Sequence, residues 1–327
     1  GNLGLSTEVA GDVRMYALDM DTGEMWFGRN GTWSGDPSAG TGAAYTSGIA
    51  GYTLTPQVTV ANTAGECTAN FGTETFAYTI PTGFTGLCTG EEQGIAAAVI
   101  PDPTKHFQAY AYTGTGAELA VTLTDASSTA FAPDLVWIKN RDTTDSHNVV
   151  DIVRGATKEL NSDSTAVEST VAQGLKSFDS SGFTLGTDLE YNTNTEDYIA
   201  WCWKAGGTAA SNADGTITSS VSVNTTAGFS ISTRTGNGTT GATFGHGLGV
   251  KPDLIFNKER GNTVGAWNVY HKDLAATKSI ELQVNGAAYT STTIWNDTEP
   301  TTSVITLGSN PDMNASGKTF VTYCWHS

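Results

Sequence analysis

The sequence has few charged residues, and basic residues are the scarcest of them. Asp, Glu, Lys and Arg make up 15% of the 327 residues, against about 25% in an average soluble protein. Only 16 residues are Lys or Arg and 33 are Asp or Glu, which gives a formal net charge of −17. Nucleic acids and anionic membranes are bound through clustered Lys and Arg, so this balance argues against both partners.

Long apolar runs and long helical patterns are also missing. No apolar stretch approaches the roughly 20 residues that span a bilayer, so no membrane insertion is predicted. No signal peptide precedes Gly1, and the chain does not begin with Met, so residue 1 is expected to follow a processing site or to belong to a longer polypeptide. Helical spacing of apolar residues over a longer stretch is found only at residues 164–175.

Cysteine is scarce as well, because four residues are too few for a disulfide scaffold. Cys202 and Cys324 lie between aromatic neighbours on predicted strands. Both are predicted to be buried free thiols, since free Cys is among the most buried residue types. Cys67 and Cys88 are candidates for a pair, because a hairpin could bring them together. The composition does not decide the redox compartment.

Glycine, in contrast, is abundant, with 38 residues. A chain rich in Gly and Thr, with few charges and scattered aromatic residues, is typical of many short strands joined by tight turns. The sequence therefore predicts an all-β fold.

One stretch of the sequence occurs twice in similar form. The letters DLVWIKNRD begin at Asp134 and nearly return as DLIFNKERG from Asp253. At an offset of 122 residues Phe107 aligns with Phe229, and YTGTG aligns with RTGNG. The same offset aligns TLG with TLG and YIAWCWK with FVTYCWH. Self-similarity over this length indicates two copies of a domain-sized unit.

Three domains follow from the repeat: residues 1–93, 94–206 and 207–327, of which the last two are predicted to be homologous β-sandwich modules. In YIAWCW, Ile199, Trp201 and Trp203 share one face of the predicted strand, and the intervening residues share the other. A strand that is apolar on both faces belongs in the middle of a sandwich or at a subunit interface.

No recognisable catalytic or metal-binding motif is present. The five His are scattered, and neither a His-Glu-x-x-His zinc motif, a nucleophile elbow nor a phosphate loop occurs. DMDTGE at residues 19–24 alternates carboxylates as a Ca²⁺ loop does, but it lacks the later ligands, and an acidic hairpin turn is the preferred interpretation. His246, between two glycines, is expected to shape a turn. No catalytic residue, metal site or cofactor is therefore predicted.

Two tryptophans are the candidate ligand-binding residues. Trp33 lies in GTWSGDPSAGTG and Trp295 in TTIWNDTEPTT, both among loop-forming residues. An exposed indole can stack on a sugar ring, whereas the alternative is that each ring folds back to cover its own sandwich. Trp137, Trp203 and Trp325 lie in strand-like runs and, like Trp201, are expected in the core.

The segment before the repeats resembles the C-terminal half of a SPRY domain, a bent β-sandwich that serves as a binding module. The resemblance rests on five elements that occur in order, GDV, the strand ending in the acidic turn, FGRNG, NFG and PTGF, at residues 11–13, 18–23, 27–31, 70–72 and 81–84. The N-terminal strands of that family are absent. The resemblance therefore implies an incomplete first sandwich with an unpaired edge, completed by upstream sequence or by a partner.

The two repeats resemble modules of fibre and other structural proteins of tailed bacteriophages, especially marine ones. The resemblance is carried by HGLGVKPDLIFNKER, from His246, and by FAPDLVWIKNRD in the first copy. It implies a virion protein of a tail or capsid fibre that presents binding loops to a host surface glycan or protein. A homo-oligomer, with a trimer as the expected state, and contacts with other virion proteins are predicted. The alternatives are a secreted bacterial carbohydrate-binding adhesin or lectin, and a glycan hydrolase, which needs only two suitably placed carboxylates.

Overall fold

The computed structural model describes residues 11–46, 68–71, 75–86, 100, 102–261 and 265–327. These residues form antiparallel β-sheets with a few short helical turns, so the predicted all-β class is confirmed. The chain divides into two compact units, Gly1–Pro101 and Asp102–Ser327. Both copies of the sequence repeat lie in the second unit. Cys67 and Cys88, the proposed pair, lie outside the described residues.

The first unit contains one antiparallel sheet of three strands, β1 (Arg14–Asp19), β2 (Glu24–Arg29) and β3 (Thr32–Trp33). Trp26 of β2 is 1% exposed and lies edge-to-face against Phe84 with ring centroids 5.8 Å apart. Large aromatic area of this kind stabilises a small sheet in which Ala17 is the only other buried apolar residue among those described.

Both turns of this sheet are formed by the residues that the sequence indicates. One carboxylate oxygen of Asp19 accepts hydrogen bonds from the amides of Asp21 and Thr22, at 2.9 and 3.1 Å. The acidic stretch at residues 19–24 is therefore a hairpin turn. Asn30 and Gly31 form the second turn with φ of 49° and 84°, the left-handed pair that a two-residue hairpin requires.

The second unit begins with repeat 1, residues 102–206, which forms two sheets. The larger has the strand order β4-β12-β6-β7-β8-β9 and the smaller the order β10-β11-β5. The elements are β4 (Phe107–Thr113), β5 (Leu119–Thr122), β6 (Leu135–Asn140), β7 (Asn148–Asp151), β8 (Lys158–Asn161), β9 (Ser169–Thr170), β10 (Leu175–Asp179), β11 (Gly182–Leu185), α1 (Leu189–Asn192) and β12 (Asp197–Trp203).

Repeat 2, residues 207–327, also forms a large and a small sheet. The large sheet has the order β13-β14-β15-β22-β17-β18-β19-β20, and the small one pairs β16 with β21. The elements are β13 (Ala210–Asn212), β14 (Ser219–Asn224), β15 (Phe229–Thr235), β16 (Thr243–Gly245), β17 (Leu254–Glu259), β18 (Trp267–His271), β19 (Lys278–Glu281), β20 (Tyr289–Thr290), β21 (Val304–Thr306), α2 (Pro311–Asn314) and β22 (Thr319–Trp325).

The two repeats share one topology. The strand β12 lies between β4 and β6, and β22 lies between β15 and β17. The registers agree too, since Trp203 is opposite Leu135 in repeat 1 and Trp325 is opposite Leu254 in repeat 2. The repeat inferred from the sequence is therefore a repeat of structure, with the strands aligned as predicted.

Glycines that match between the repeats stand where two backbone segments touch. A Cβ atom on Gly114 would lie 2.1 Å from a carbonyl oxygen of a neighbouring loop, and one on Gly308 would lie 1.9 Å from another. Their counterparts, Gly236 and Gly186, each have a carbonyl oxygen at 2.4 Å from the same position. Any larger residue would push these segments apart, so the fold requires glycine at all four positions.

In each repeat the small sheet covers one face of the large sheet. The core of repeat 1 joins Val136, Ile138 and Val150 of the large sheet to Val121 and Phe183 of the small one. The core of repeat 2 is built likewise, with Ile255, Cys324, Phe244 and Ile305 among its members. Burial of this apolar area is the main stabilising term of each sandwich.

The second face of each large sheet packs against the other repeat. Leu135, Val149 and Leu160 of repeat 1 share one buried cluster with residues of repeat 2, including Trp267 and Tyr323. The layers therefore run small sheet, large sheet, large sheet, small sheet. The strand β22 is apolar on both faces and buried on both, as its sequence predicts, whereas β12 is buried on its small-sheet face and only partly buried on the other.

The prediction of two buried free thiols is confirmed, whereas the predicted helical stretch is wrong. Cys202 and Cys324 are buried and free, as predicted, and burial raises the pKa of Cys324 to about 12. The helical spacing at residues 164–175 was misleading, because the chain there forms a loop, the short strand β9 and a turn. The backbone of this segment is held by repeat 2 instead: the amide of Glu168 donates to the carbonyl oxygen of Arg260 at 2.8 Å.

Candidate functional site

Trp33 lies on a strand, and part of its indole is exposed. Trp33 pairs with Gly28 of β2 in the sheet, and a Cβ atom on that glycine would lie 3.1 Å from Cε3 of the indole. The ring therefore rests on the sheet at a position that only glycine leaves open. Trp33 as a whole residue is half-buried.

Trp295, the second candidate, is a core residue with only 2% of its surface exposed. Its ring lies edge-to-face against Tyr270 with centroids 6.0 Å apart. The amides of Gly186 and Gly308 donate to the carbonyls of Gly174 and Ile294, which places Trp295 at the position of Leu175, the first residue of β10. Among the described residues of repeat 2, the small sheet has no strand matching β10. The indole fills that space, so it covers its own sandwich and offers no face to a sugar.

A buried polar network joins the two repeats. Arg154 and Asp151 form an ion pair whose side chains are both 0% exposed. The hydroxyl of Tyr323, on the other repeat, donates to Asp151 at 2.7 Å and accepts from Arg154 at 3.2 Å. Glu168 accepts from Arg154 at 3.2 Å and takes two hydrogen bonds of 2.7 Å from Arg260. Arg154 and Asp151 are therefore closed to solvent, whereas the side chains of Arg260 and Glu168 are 22% and 11% exposed.

The electrostatics of Glu168 follow from this network. Burial alone would raise its pKa, but the hydrogen bonds from Arg260 and the positive charge of Arg154 lower it below the ordinary value. Glu168 therefore remains ionised at neutral pH. It acts as the counterion that links repeat 1 to repeat 2.

A second buried cation, Arg234, has no carboxylate among its hydrogen-bond partners. Its guanidinium lies between the rings of Phe244 and Phe320, at 4.1 and 4.7 Å from their centroids. It donates to the side chains of Thr322 and Asn257 at 2.7 and 2.9 Å, and to the carbonyl of Met313 at 2.8 Å. Burial lowers the pKa of Arg234 to about 9. The site is a packed core arrangement with neutral acceptors.

In repeat 1 the position equivalent to Arg234 is occupied by a tyrosine. Tyr112 occupies the position of Arg234, stacks on Tyr198 with centroids 5.1 Å apart, and donates to the carbonyl of Tyr191 at 2.8 Å. Two different side chains thus bridge the same strand and helix in the two copies. The chemistry of Arg234 is therefore not shared by the repeats, whereas its structural role is.

A lysine preserved in both repeats closes the loop that follows the same strand. Lys139 donates to the carbonyls of Thr143 and Asp145, both at 2.9 Å. Lys258 donates to the carbonyl of Gly265 at 2.9 Å, and burial lowers the pKa of this lysine to about 8. The repeated letters IKN and NKE therefore mark a loop-closing cation. In both copies the ammonium is held by backbone carbonyls of the loop that follows its strand.

His246 shapes a turn, as expected from its two glycine neighbours. The ring is fully buried, accepts from the amide of Leu248 at 3.3 Å, and has the carbonyl of Thr301 at 3.3 Å from its Nε2. Burial lowers its pKa, which favours the neutral imidazole. Both ring nitrogens are engaged with backbone, so the residue is placed for structure.

Acidic residues gather near the end of β6 in repeat 1. The amide of Asn140 donates to Asp145 at 2.8 Å and to Glu196 at 2.6 Å. Nearby, burial and the charge of Glu159 raise the pKa of Glu190. Throughout the described residues, no three His, Cys, Asp or Glu side chains are arranged to hold a metal ion. The same part of the chain contains no helix long and apolar enough to cross a membrane.

The exposed aromatic surface of the second unit lies elsewhere, and the sequence did not reveal it. We define the β4 strip as Phe107, Ala109 and Ala111 on β4 with Ile199 and Trp201 on β12. Phe107 is 40% exposed, and the two alanines are exposed as well. Trp201, expected in the core, is only partly buried and lies edge-to-face against Trp137.

The counterparts of the β4 strip in repeat 2 are covered. Phe229, Ile231, Val321 and Tyr323 are at most 1% exposed, because they pack on repeat 1. The fifth counterpart, Thr233 at the position of Ala111, is half-buried. The two large sheets therefore meet out of alignment and leave the β4 side of repeat 1 open. The one signal in the sequence is the small alanine at position 109, where repeat 2 has an isoleucine.

The second unit is thus a duplicated all-β domain of two sandwiches packed through their large sheets. The family profile of DUF7483, described as a domain of unknown function, matches residues 102–327. The chain belongs to this family. No curated protein matches the chain. No solved structure matches it either.

Proposed function

We propose that the chain is a structural protein of a bacteriophage virion, a part of a tail or capsid fibre that carries attachment to the host surface. It forms a homo-oligomer, contacts other virion proteins and uses no metal or cofactor. The proposal draws on the resemblance of the two PDL-containing stretches to phage fibre modules. One structural observation supports it further.

That observation is that the polar side chains shared by both repeats hydrogen-bond to the backbone of their own domain. Asn192 donates to the carbonyl of Gly186 at 2.8 Å, and its counterpart Asn314 donates to the carbonyl of Thr239 at 2.8 Å. Asp134 accepts from the amide of Ala205 at 2.9 Å, and its counterpart Asp253 accepts from Ser327 at the same distance. With the shared lysines and glycines, these residues hold loops and strand ends. The residues that both copies have retained maintain the fold, and this favours a structural protein over an enzyme.

Host contact is assigned to the first unit through Trp33. This side chain is half-buried, sits on a short strand and keeps part of its indole exposed. Several weak aromatic contacts of this kind give firm attachment when many copies engage one surface, because later contacts form at high effective concentration. Trp295 has no place in this proposal, since it is buried in repeat 2.

The test is competition for host adsorption. Purified chain should slow the adsorption of the phage to its host, and Trp33→Ala should lose most of this effect while Trp33→Phe keeps part of it. Tyr16→Ala is the matched control, because Tyr16 is 65% exposed on the same sheet. No competition by the unmodified chain, or equal competition by Trp33→Ala, contradicts the proposal. Cleavage of a host glycan by the chain would establish the hydrolase alternative.

A further inference from the structure

Three asparagines of the chain are followed directly by glycine, in the steps Asn30-Gly31, Asn237-Gly238 and Asn285-Gly286. Asparagine is a thermolabile residue. A following glycine makes it more so, because its backbone nitrogen can attack the asparagine side chain and no Cβ atom hinders the approach. All three asparagines are exposed, so exposure does not distinguish them. They differ in how the surrounding structure holds the reacting atoms.

The side chain of Asn30 is held at both ends. Its Oδ1 accepts a hydrogen bond from the amide of Val13, and its Nδ2 donates to Asp12, each at 2.8 Å. The reaction requires the side-chain carbon Cγ to swing over the following amide nitrogen. This rotation would break both hydrogen bonds, so the turn that Asn30 forms also protects it.

At Asn237 both reacting groups are held. Its Oδ1 accepts from the amide of Thr239 and from Nδ2 of Asn314, each at 2.9 Å. The attacking nitrogen, the amide of Gly238, donates to the carbonyl of Asn314 at 2.8 Å. The attack would therefore require hydrogen bonds to break on both sides of the new bond.

Asn285 and Gly286 have none of these restraints. Within the described residues, neither the side chain of Asn285 nor the amide of Gly286 has a hydrogen-bond partner. The neighbouring residues 284 and 287 are exposed as well. A Cβ atom on Gly286 would have only one atom within 4 Å, Cγ2 of Val284 at 3.6 Å. The side chain and the following amide are therefore free to approach each other.

The same loop of repeat 1 is held by repeat 2. At the offset that aligns β8 with β19, Thr165 occupies the position of Asn285. The carbonyl of Thr165 accepts from the ammonium of Lys258 at 3.4 Å, and the amide of Glu168 donates to the carbonyl of Arg260 at 2.8 Å. The loop that joins β19 to β20 therefore combines the reactive step with an open position.

We infer that Asn285 is a site of spontaneous modification, at which water converts the asparagine to aspartate or isoaspartate. The nitrogen of Gly286 forms a bond to Cγ of Asn285, the bond from Cγ to Nδ2 breaks, and Nδ2 leaves as ammonia with the proton of the Gly286 amide. Water then opens the cyclic imide. Opening at Cγ gives aspartate, and opening at the main-chain carbonyl carbon gives isoaspartate. Neither step transfers electrons to or from another molecule.

The modification changes the charge of the chain and leaves its fold in place. Each event replaces a neutral amide by a carboxylate, which adds one negative charge to the formal −17. Among the described residues, none is held in place by a hydrogen bond to Asn285 or Gly286. The inference is independent of the proposed attachment function.

Peptide mass spectrometry of the ageing protein tests the inference. The unmodified full chain is kept in mildly alkaline buffer, which favours deprotonation of the attacking amide, and is sampled with fragmentation that separates aspartate from isoaspartate. Asn285 should react about tenfold or more faster than Asn30 or Asn237, because at those sites hydrogen bonds must break first. Equal rates at the three sites would overturn the inference.

Two controls separate the structure from the sequence. In concentrated urea the three steps should react at similar rates, and a ranking that persists in the unfolded chain would also overturn the inference. Gly286→Ala should lose most of the reaction at Asn285, since the added Cβ hinders the attack. Its unfolding midpoint should match that of the unmodified chain, because the space around Gly286 is open. A Gly286→Ala variant that reacts as fast as the unmodified chain would exclude attack by this amide.

Discussion

Arg234→Ala should destabilise the duplicated domain by about 3 kcal/mol. Arg234 is 4% exposed, and its guanidinium lies between two aromatic rings and donates three hydrogen bonds of 2.7–2.9 Å to neutral acceptors. Loss of the two cation–π contacts costs about 1 kcal/mol each. The unfilled space and the stranded acceptors cost about 1–3 kcal/mol more. Removal of a buried charge that has no carboxylate partner offsets part of this sum.

The triple change Arg234→Tyr, Asn257→Ile and Thr322→Ala should instead lie within about 1 kcal/mol of the unmodified protein. These substitutions copy Tyr112, Ile138 and Ala200, the residues at the same positions of repeat 1. The new phenol can donate to the carbonyl of residue 313, as Tyr112 does to the carbonyl of Tyr191 at 2.8 Å. Asn257 and Thr322, which accept from the arginine, are removed together with it, and among the acceptors left behind the carbonyl of Asp312 loses a hydrogen bond, that of 3.1 Å from Asn257.

Urea unfolding of the full chain, followed by near-ultraviolet circular dichroism, measures both effects. Arg234→Tyr alone is the control and should fall between the alanine variant and the triple variant, because Thr322 still donates to Asn257 at 2.9 Å. A triple variant that is less stable than Arg234→Tyr would refute the argument that the two repeats are alternative solutions for one core position. An Arg234→Ala variant as stable as the unmodified chain would refute the estimate of its packing.

Three further outcomes are expected from the same structure. Gly308→Ala should cost about 3 kcal/mol in urea unfolding, because its Cβ would lie 1.9 Å from a carbonyl oxygen, whereas Gly261→Ala, with no atom within 4 Å, should be near neutral. Trp295→Ala should cost about 3–5 kcal/mol as a cavity in the core, and Trp33→Ala about 1 kcal/mol; equal losses would contradict the burial difference. Because the folded-state pKa of Glu168 is lowered, its ion pairs stabilise the fold above about pH 4.5, and this stabilisation is lost as the pH falls through the folded-state pKa. Glu168→Gln should therefore make the free energy of unfolding, measured by circular dichroism, depend less on pH in acid.

The repeat is the part of the fold that the sequence predicts best. Its strands are marked by matched letters, and the two-faced pattern of YIAWCW predicts apolar contacts on both faces of β12, which the two cores provide. The all-β class follows from composition and turn residues. These signals are local or periodic, so they can be read without knowledge of the fold.

Other features depend on contacts that leave no local pattern. Asp151 and Tyr323 meet across 172 residues of chain, so their hydrogen bond cannot be inferred from spacing. Trp295 looks like a loop residue because its neighbours are polar, yet it fills the place of Leu175 where repeat 2 lacks a strand. The open β4 strip arises from the offset between two large sheets, which is set by packing of both repeats together. Sequence reasoning therefore found the modules and missed how they meet.

The proposal of a structural virion protein is tested most directly by the composition of purified phage particles. Quantitative mass spectrometry of density-purified virions, with immunogold labelling of the duplicated domain, should find the chain in a fixed number of copies per particle and on a tail or capsid fibre. Absence of the chain from particles, while it is present in the surrounding lysate, would contradict the account.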